Sequence, residues 1–553
     1  MRRPALAVAG ALVIVAAWSS PAFAHAQLLT ASPAPGSVVA ASPAQIVLRF
    51  GEPVEIDFGS IRVFDASGAR VDSGGTHHPR GDDAEVAIDL PSRLTDGAYI
   101  VAWRVVSADS HPVQGAYTFS VGTSAGLGRA SALAARIAAE SGSASVGSVF
   151  LVVRAAQYAG LLALLGIAAM VLACAPRALG RRRVRRALWG SYALVVVATC
   201  LAVCLQGAYA AALPIGDAFR GSLIGEVLAT RFGHLALARL ALLALAAPLL
   251  WALCARRSSR RPGALTSTLV VLASGLLVTT ALAGHAATGT WVAVGLAADV
   301  VHLAAAALWV GGLVVLACLL LPGGEDDGLD VDAASRRISP VLVAAVAAVV
   351  VSGAAQSLRQ VGAPGQLIDT TYGRLLVSKA GLVAVLVALG ALSRTLLRRR
   401  GTQRRPAAGR GGLAKSVAVE LAVVAAVLAV TAGLVNAAPP RALVALPYAE
   451  SYTTLGVQVN VVLAPAASGV RNTLHVYVLT PAGLPRAVPE VDATISFPAE
   501  RIGPIAVPLT LAGVGHYRSR DVEFFSSGTW VLTVTVRTTA IDEQVTPLLV
   551  QVR

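Results

Sequence analysis

A few of the nine histidines sit where their side chains could do chemistry together. Asp109-Ser110-His111 sets a carboxylate and an imidazole two residues apart. In a strand, positions i and i+2 face the same side, so both groups could meet one ion. By itself the pair also fits an aspartate that orients a surface histidine. His25 adds weight to the first reading. Arg2 and Arg3, the apolar stretch Ala5 to Ala17, and Ala22-Phe23-Ala24 have the pattern of a secretory signal with an A-x-A cleavage site. Cleavage after Ala24 would make His25 the N-terminus, offering an α-amine and an imidazole to one metal. Nitrogen ligands of this kind suit Cu(II), which favours tetragonal geometry. Such binding weakens as pH falls, because amine and imidazole must lose protons to coordinate. His77-His78 lies among Gly and Asp residues and reads as a solvated loop.

A second group lies in apolar surroundings. His285 closes an apolar segment at Ala283-Gly284-His285, and Asp299 precedes His302 by three residues, on one helix face. Ionisable groups at membrane depth are costly and by default mark a functional path. His234, Arg239, Lys379 and Glu420 are further cases; snorkelling or structural ion pairing is the plainer account of the last three. All five cysteines (Cys174, Cys200, Cys204, Cys254 and Cys318) fall in apolar stretches, so the exported regions have no disulfide framework. Cys200 and Cys204 share a helix face, where they could hold a soft metal or simply fill space between helices.

The elements that must position these residues follow from composition and patterning. The chain is 56% hydrophobic and 14% charged, against about 45–50% and about 25% in soluble domains. Many residues must face lipid. Apolar segments near 149–175, 187–212, 232–254, 265–285, 291–321, 338–358, 373–397 and 415–437 predict eight spanning helices, each near the ~20 residues a bilayer requires. Arg177 to Arg186, Arg256 to Arg261 and Arg394 to Arg405 follow the first, third and seventh segments. These loops share one side, which the positive-inside rule makes cytoplasmic. The loop with Glu325, Asp326 and Asp327 falls on that side but is acidic. The net charge of +15 is thus a topology signal. No aromatic run accompanies it for base stacking, so no nucleic acid is expected.

The predicted organisation is a signal peptide (1–24), a β-domain (25–122), a linker (123–147), a membrane domain (148–440) and a second β-domain (441–553). Both β-domains show short alternating runs, such as Gln45 to Phe50, Gly97 to Trp103, Leu474 to Val478 and Trp530 to Val536. Both are expected on the extracytoplasmic side of the plasma membrane. No internal repeat is evident.

Residues 25–122 resemble the copper-resistance CopC family through His25-Ala26-Gln27-Leu28, Ser32-Pro33-Ala34-Pro35-Gly36-Ser37, Leu48 to Val54, and Trp103-Arg104-Val105-Val106-Ser107-Ala108-Asp109-Ser110-His111-Pro112-Val113-Gln114-Gly115. The resemblance implies an all-β Greek-key barrel or sandwich and a Cu(II) site from His25, Asp109 and His111, with Glu52 at an acidic position near it. Many members also have a Met-rich Cu(I) loop. Met1 and Met170 are this chain's only methionines, so that second site is not expected. The helical region resembles the CopD family through Thr230-Arg231-Phe232-Gly233, Gly284-His285, His302-Leu303-Ala304-Ala305-Ala306-Ala307-Leu308-Trp309-Val310-Gly311-Gly312 and Thr371-Tyr372-Gly373-Arg374. The last domain is similar to FixH- or YtkA-type β-domains through Gly513-Val514-Gly515-His516-Tyr517 and Ser527-Gly528-Thr529-Trp530.

These resemblances imply a multi-domain, multi-pass membrane protein that captures Cu(II) outside and takes part in copper import, homeostasis and resistance. His285, Asp299 and His302 are its expected path, and Cu(I) is a possible form of the ion within the membrane. No phosphate-cradling G-x-x-x-x-G-K-[ST] loop occurs, so no ATPase engine is visible and no enzymatic activity is expected. Expected partners are copper ions, the lipid bilayer, and exported copper proteins or a reductant. Two other readings stand beside this one: a factor delivering copper to exported cuproenzymes without transport, and a haem-binding membrane redox protein with paired histidine ligands.

Overall fold

The computed structural model describes residues 26, 28–59, 61–122, 130, 133–134, 136–137, 144–255, 263–288, 291–320, 331–361, 364–400, 407–437, 448–469, 471–481 and 484–552. The expected signal peptide, His25, most of the expected linker, the loop arginines Arg256 to Arg261, Arg404 and Arg405, and the acidic loop Glu325 to Asp327 lie outside the described residues.

The described residues of the N-terminal region form eight strands: β1 (Leu28–Ser32), β2 (Val38–Val39), β3 (Gln45–Phe50), β4 (Val54–Glu55), β5 (Ile61–Asp65), β6 (Glu85–Asp89), β7 (Gly97–Ser107) and β8 (Pro112–Val121). One sheet has the order β1-β3-β6; the other runs β2-β8-β7-β4, with β5 also on β7. Alternation along β3 buries Ile46, Leu48 and Phe50, as expected of a sheet with one face in a core. The long hairpin β7–β8 pairs Gly97 with Val121 at one end and Val106 with Pro112 at the other. Gly115 stands opposite Trp103, and a Cβ there would meet the indole at 2.2 Å. This glycine therefore leaves room for the ring across the strand.

Among the described residues, eight helices are long and apolar enough to cross a membrane. They are α1 (Ala144–Ala173), α2 (Arg182–Ala210), α3 (Arg231–Ala255), α4 (Gly263–Leu282), α5 (Val292–Leu320), α6 (Val331–Gln360), α7 (Thr371–Arg400) and α8 (Ala407–Asn436). α1 begins at Ala144, inside the last residues of the expected linker. His285 also differs from expectation. It opens a separate 3-10 turn, His285–Ala287, after α4 has ended, because Gly284 is extended (φ −124°, ψ −179°).

Glycines let α1 and α5 approach closely. A Cβ on Gly311 in α5 would lie 2.1 Å from the backbone carbon of Gly166 in α1, so the two backbones touch where only glycine fits. Trp309 beside it is buried. The motif His302-x6-Trp-x-Gly-Gly thus carries helix packing at its glycine end. At the Arg-rich end of α1, Arg181 donates to the carbonyl of Leu319 at 3.1 Å, satisfying a carbonyl in the last turn of α5.

One local device occurs twice, although no repeat is evident from the sequence. Thr230 caps α3 by accepting from the Gly233 N–H at 3.2 Å, and Thr370 caps α7 by accepting from the Gly373 N–H at 2.9 Å. Each glycine also lies against the preceding short helix, where a Cβ would meet the Val227 or the Gln366 carbonyl at 2.1 Å.

The C-terminal region forms β9 (Tyr448–Thr454), β10 (Val457–Ala464), β11 (Arg471–Leu479), β12 (Glu490–Phe497), β13 (Ile502–Val507), β14 (Thr510–Gly513), β15 (His516–Glu523), β16 (Gly528–Arg537) and β17 (Glu543–Val552). Its sheets have the orders β14-β15-β11-β10-β9 and β13-β12-β16-β17. Their shared core centres on Trp530, fully buried and stacked on Phe497 at 4.9 Å.

The chain divides into two compact units. One joins Gly142–Ala442 with Ala108–His111, the tip of the β7–β8 hairpin; the other holds Ala26–Ser107, Pro112–Ser141 and Leu443–Arg553.

Candidate metal centre

Within the helical unit, the hairpin tip Ala108–His111 is held at two backbone carbonyls. Arg231, the first residue of α3, donates to the Ala108 carbonyl at 2.9 Å. Gln206 of α2 donates through Nε2 to the Ser110 carbonyl at 2.9 Å. Ser110 has φ +69°, the left-handed region that costs a non-glycine residue roughly 1–2 kcal/mol. The turn aims Asp109 and His111 at one place, and the His111 N–H reaches Asp109 Oδ1 at 3.3 Å.

His285 completes the group. Its Nδ1 lies 2.8 Å from Asp109 Oδ2, while His111 Nδ1 lies 3.2 Å from Asp109 Oδ1. The two imidazoles stack at 4.9 Å with 21° between planes. Asp109 is fully buried, and His111 and His285 each expose 8% of their side chains. One ligand atom from each of the three falls within 4.8 Å of the others. Two ligands trans across a metal at ~2.1 Å stand about 4.2 Å apart, so a shift of roughly half an ångström would close the set. A carboxylate and two imidazoles form a ligand set suited to copper, zinc or nickel.

Arg154 on α1 was not singled out from the sequence, yet it lies against this cluster. It is buried, packs on the Phe150 ring at 4.4 Å, donates to Asn436 Oδ1 at 2.6 Å and lies 3.0 Å from His111 Nε2. A guanidinium has no acceptor, so Nε2 must accept and the ring proton of neutral His111 sits on Nδ1, facing Asp109. A cation reaching that nitrogen must therefore displace a proton. An arginine in the second turn of a predicted spanning helix was the available signal.

His285 also lines a cavity of about 680 Å³ in the same unit, with Tyr158, Asp299, His302 and Lys379 among the other walls. His302 Nδ1 lies 3.0 Å from Ser352 Oγ, and Gln356 donates to Asp299 Oδ1 at 2.9 Å. Both partners are on α6, so Asp299 and His302 share a helix face but make separate bonds. Tyr372 donates to Gln360 at one wall of the cavity. Glu52 is buried but belongs to the other compact unit, and His25 lies outside the described residues.

Comparison with known proteins places this chain in a family. Residues 28–122 match the CopC domain, residues 144–294 the copper resistance protein D-like N-terminal domain, and residues 332–434 copper resistance protein D. Copper transport protein CutJ of Bacillus subtilis is 32% identical over 423 residues, covering 75% of this chain and 74% of its own length. Copper resistance protein C of Pseudomonas syringae pv. tomato is 37% identical over 112 residues, covering 19% of this chain and 85% of its own. The crystal structure of CopC from Methylosinus trichosporium OB3b aligns with 40% identity over 18% of this chain and 93% of that one, with a TM-score of 0.17. With CopC and CopD regions in one polypeptide and eight apolar helices between its β-regions, this multi-pass membrane chain belongs to the CopC–CopD copper resistance and transport family.

Proposed function

We propose that the chain takes up Cu(II) outside the membrane at Asp109, His111 and His285 and passes copper inward along the cavity toward His302, as a non-enzymatic importer. The observation that carries this reading is the double placement of His285. It bonds to Asp109 and also lines the cavity that holds Asp299 and His302. One imidazole can then hand an ion from a buried carboxylate-containing cluster to a space between helices. On this reading both β-regions are extracytoplasmic, as the arginines following α1 suggest.

The residues divide the work. Asp109 supplies the negative charge that offsets a cation in a buried place. Arg154 fixes the His111 tautomer, so copper arrival is coupled to proton release from Nδ1. In the cavity, Ser352 orients His302 as hydrogen-bonding partners orient metal-binding imidazoles. A second reading has a specific observation behind it. Asp299 and Lys379 line the same cavity as His302, and such a set could relay protons while copper moves elsewhere.

Uptake of isotopic copper into vesicles containing the full-length protein tests both. If His302 is a ligand, His302→Ala stops uptake. If it relays protons, uptake persists and loses its pH dependence. Wild-type uptake and pH response in correctly inserted His285→Ala and His302→Ala variants would refute the transport reading.

A further inference from the structure

The C-terminal sheets carry a second pair of imidazoles, in the other compact unit. Along β11, Leu474, Val476 and Val478 are fully buried, so the alternating residues His475 and Tyr477 occupy the opposite face. In the pairing of β11 with β15, Tyr477 faces His516 and His475 faces Arg518. His475 and His516 are thus diagonal neighbours, and His475 Nδ1 lies 2.9 Å from His516 Nε2. Their rings stack at 5.2 Å and 19°; Tyr477 stacks on His516 at 4.4 Å and on His475 at 6.0 Å. On β10, Asn460 pairs with Tyr477; it is 2% exposed, and among the described residues its Nδ2 has no hydrogen-bond partner.

We propose that His475 and His516 form a further copper-binding site on this face, with the ion held between His475 Nδ1 and His516 Nε2. Copper is chosen over other imidazole-binding metals because of the family assignment; the site itself does not depend on inward transport. Metal–imidazole bonds are ~2.0–2.1 Å, so nitrogens 2.9 Å apart subtend about 90° at an ion. That is the angle between adjacent ligands of tetragonal Cu(II). The rings need only turn about χ2, a broad torsion, to converge on one point. Burial, the neighbouring His516, and Arg518 and Arg520 hold His475 down to about 4, while burial and Arg518 lower His516. Both rings are neutral near pH 7, and the ring that donates in this bond frees its nitrogen by moving that proton to its other ring nitrogen. Two protein nitrogens leave coordination positions open, as in sites that exchange ligands. The angle favours Cu(II), whereas the positive charge of Arg518 penalises a dication more than Cu(I). The oxidation state is therefore an arm of the test.

The experiment uses full-length protein in detergent. Bound copper per chain is counted by equilibrium dialysis, with paramagnetic resonance for Cu(II) and a Cu(I)-specific chelator for the reduced ion. The variant His475→Asn with His516→Asn is expected to lose one copper, additively with the loss caused by His111→Ala and His285→Ala. Loss of a paramagnetic signal assigns Cu(II); loss of chelator-competing copper assigns Cu(I). Histidine acylation of the wild-type protein, mapped by mass spectrometry, covers the case in which the variant fails to fold. Copper is expected to protect His475 and His516 at least tenfold. Equal acylation with and without copper, or an unchanged copper count in a folded variant, overturns the proposal.

Discussion

The two histidine pairs of this chain have nearly the same ring geometry and opposite electrostatic surroundings. His111 and His285 stack at 4.9 Å and 21°; His475 and His516 stack at 5.2 Å and 19°. The first pair shares the buried carboxylate of Asp109, with Arg154 on the far side of one ring. In the second pair the rings bond to each other, and the neighbouring charge is that of Arg518 and Arg520. Stacking therefore says little about what such a pair binds. The charge beside it decides whether a cation's lost hydration is offset, because unit charges at ~4 Å interact by about 4 kcal/mol even at an effective dielectric constant near 20. On the proposed readings, the carboxylate beside the first pair offsets the charge of a bound dication, while the arginines beside the second pair weaken its hold on one.

Changes that remove one pair and spare the other would break this comparison. The largest expected effect is that of His285→Ala. Because His285 belongs to both the cluster and the cavity wall, copper uptake should fall to background while copper bound at His475 and His516 stays unchanged. Vesicle uptake and a copper count on the same preparation check both halves. Asp109→Asn keeps the shape and removes the charge. It should weaken copper binding at the cluster by at least about 10–100-fold, the loss seen when groups supporting a metal ligand are removed, in a competition titration.

A smaller effect tests whether the cavity side depends on helix contact. Gly311→Ala puts a Cβ 2.1 Å from the Gly166 backbone. Overpacking of this kind costs about 1–3 kcal/mol, and should lower the thermal unfolding temperature of the detergent-solubilised protein. An unchanged unfolding curve would mean that α1 and α5 are farther apart than described.

The smallest effect separates acid loss of ligands from acid loss of their scaffold. Arg80 and Arg49 donate to the Glu85 carboxylate at 2.8 and 2.7 Å and hold it below its usual value of 4.5. A carboxyl depressed in the folded state stabilises above its unfolded pKa, and that contribution is lost as pH falls through the folded value. The N-terminal sheets should thus begin to weaken only below about pH 4.5. Glu85→Gln should flatten this slope in thermal unfolding followed against pH. Copper released at pH 5–6, while these sheets remain folded, would come from protonation of the ligands.

The architecture was legible because it rests on local periodicity. Eight apolar runs of spanning length and two regions of alternating strands need no knowledge of long-range contacts. The Asp109-Ser110-His111 pair was legible as a carboxylate and an imidazole two residues apart, but the expected strand alternation does not place them: they lie in the turn between β7 and β8, with Ser110 in the left-handed region. His285 was visible only as an isolated histidine near a helix end. Its bond to Asp109 joins residues 176 positions apart, and Arg154 reaches His111 across 43. No spacing rule connects such positions; only the packing of α1 and the turn after α4 around the hairpin tip does. His475 and His516 are separated by 41 residues and meet through the register of β11 on β15. The sequence by itself determined which side chains are of metal-binding type and which segments are long and apolar enough to cross a membrane, because residue chemistry and hydropathy are local. Tertiary structure alone decided which ligands stand together and what charge lies beside them, because a side chain's distant neighbours are set by how the elements pack.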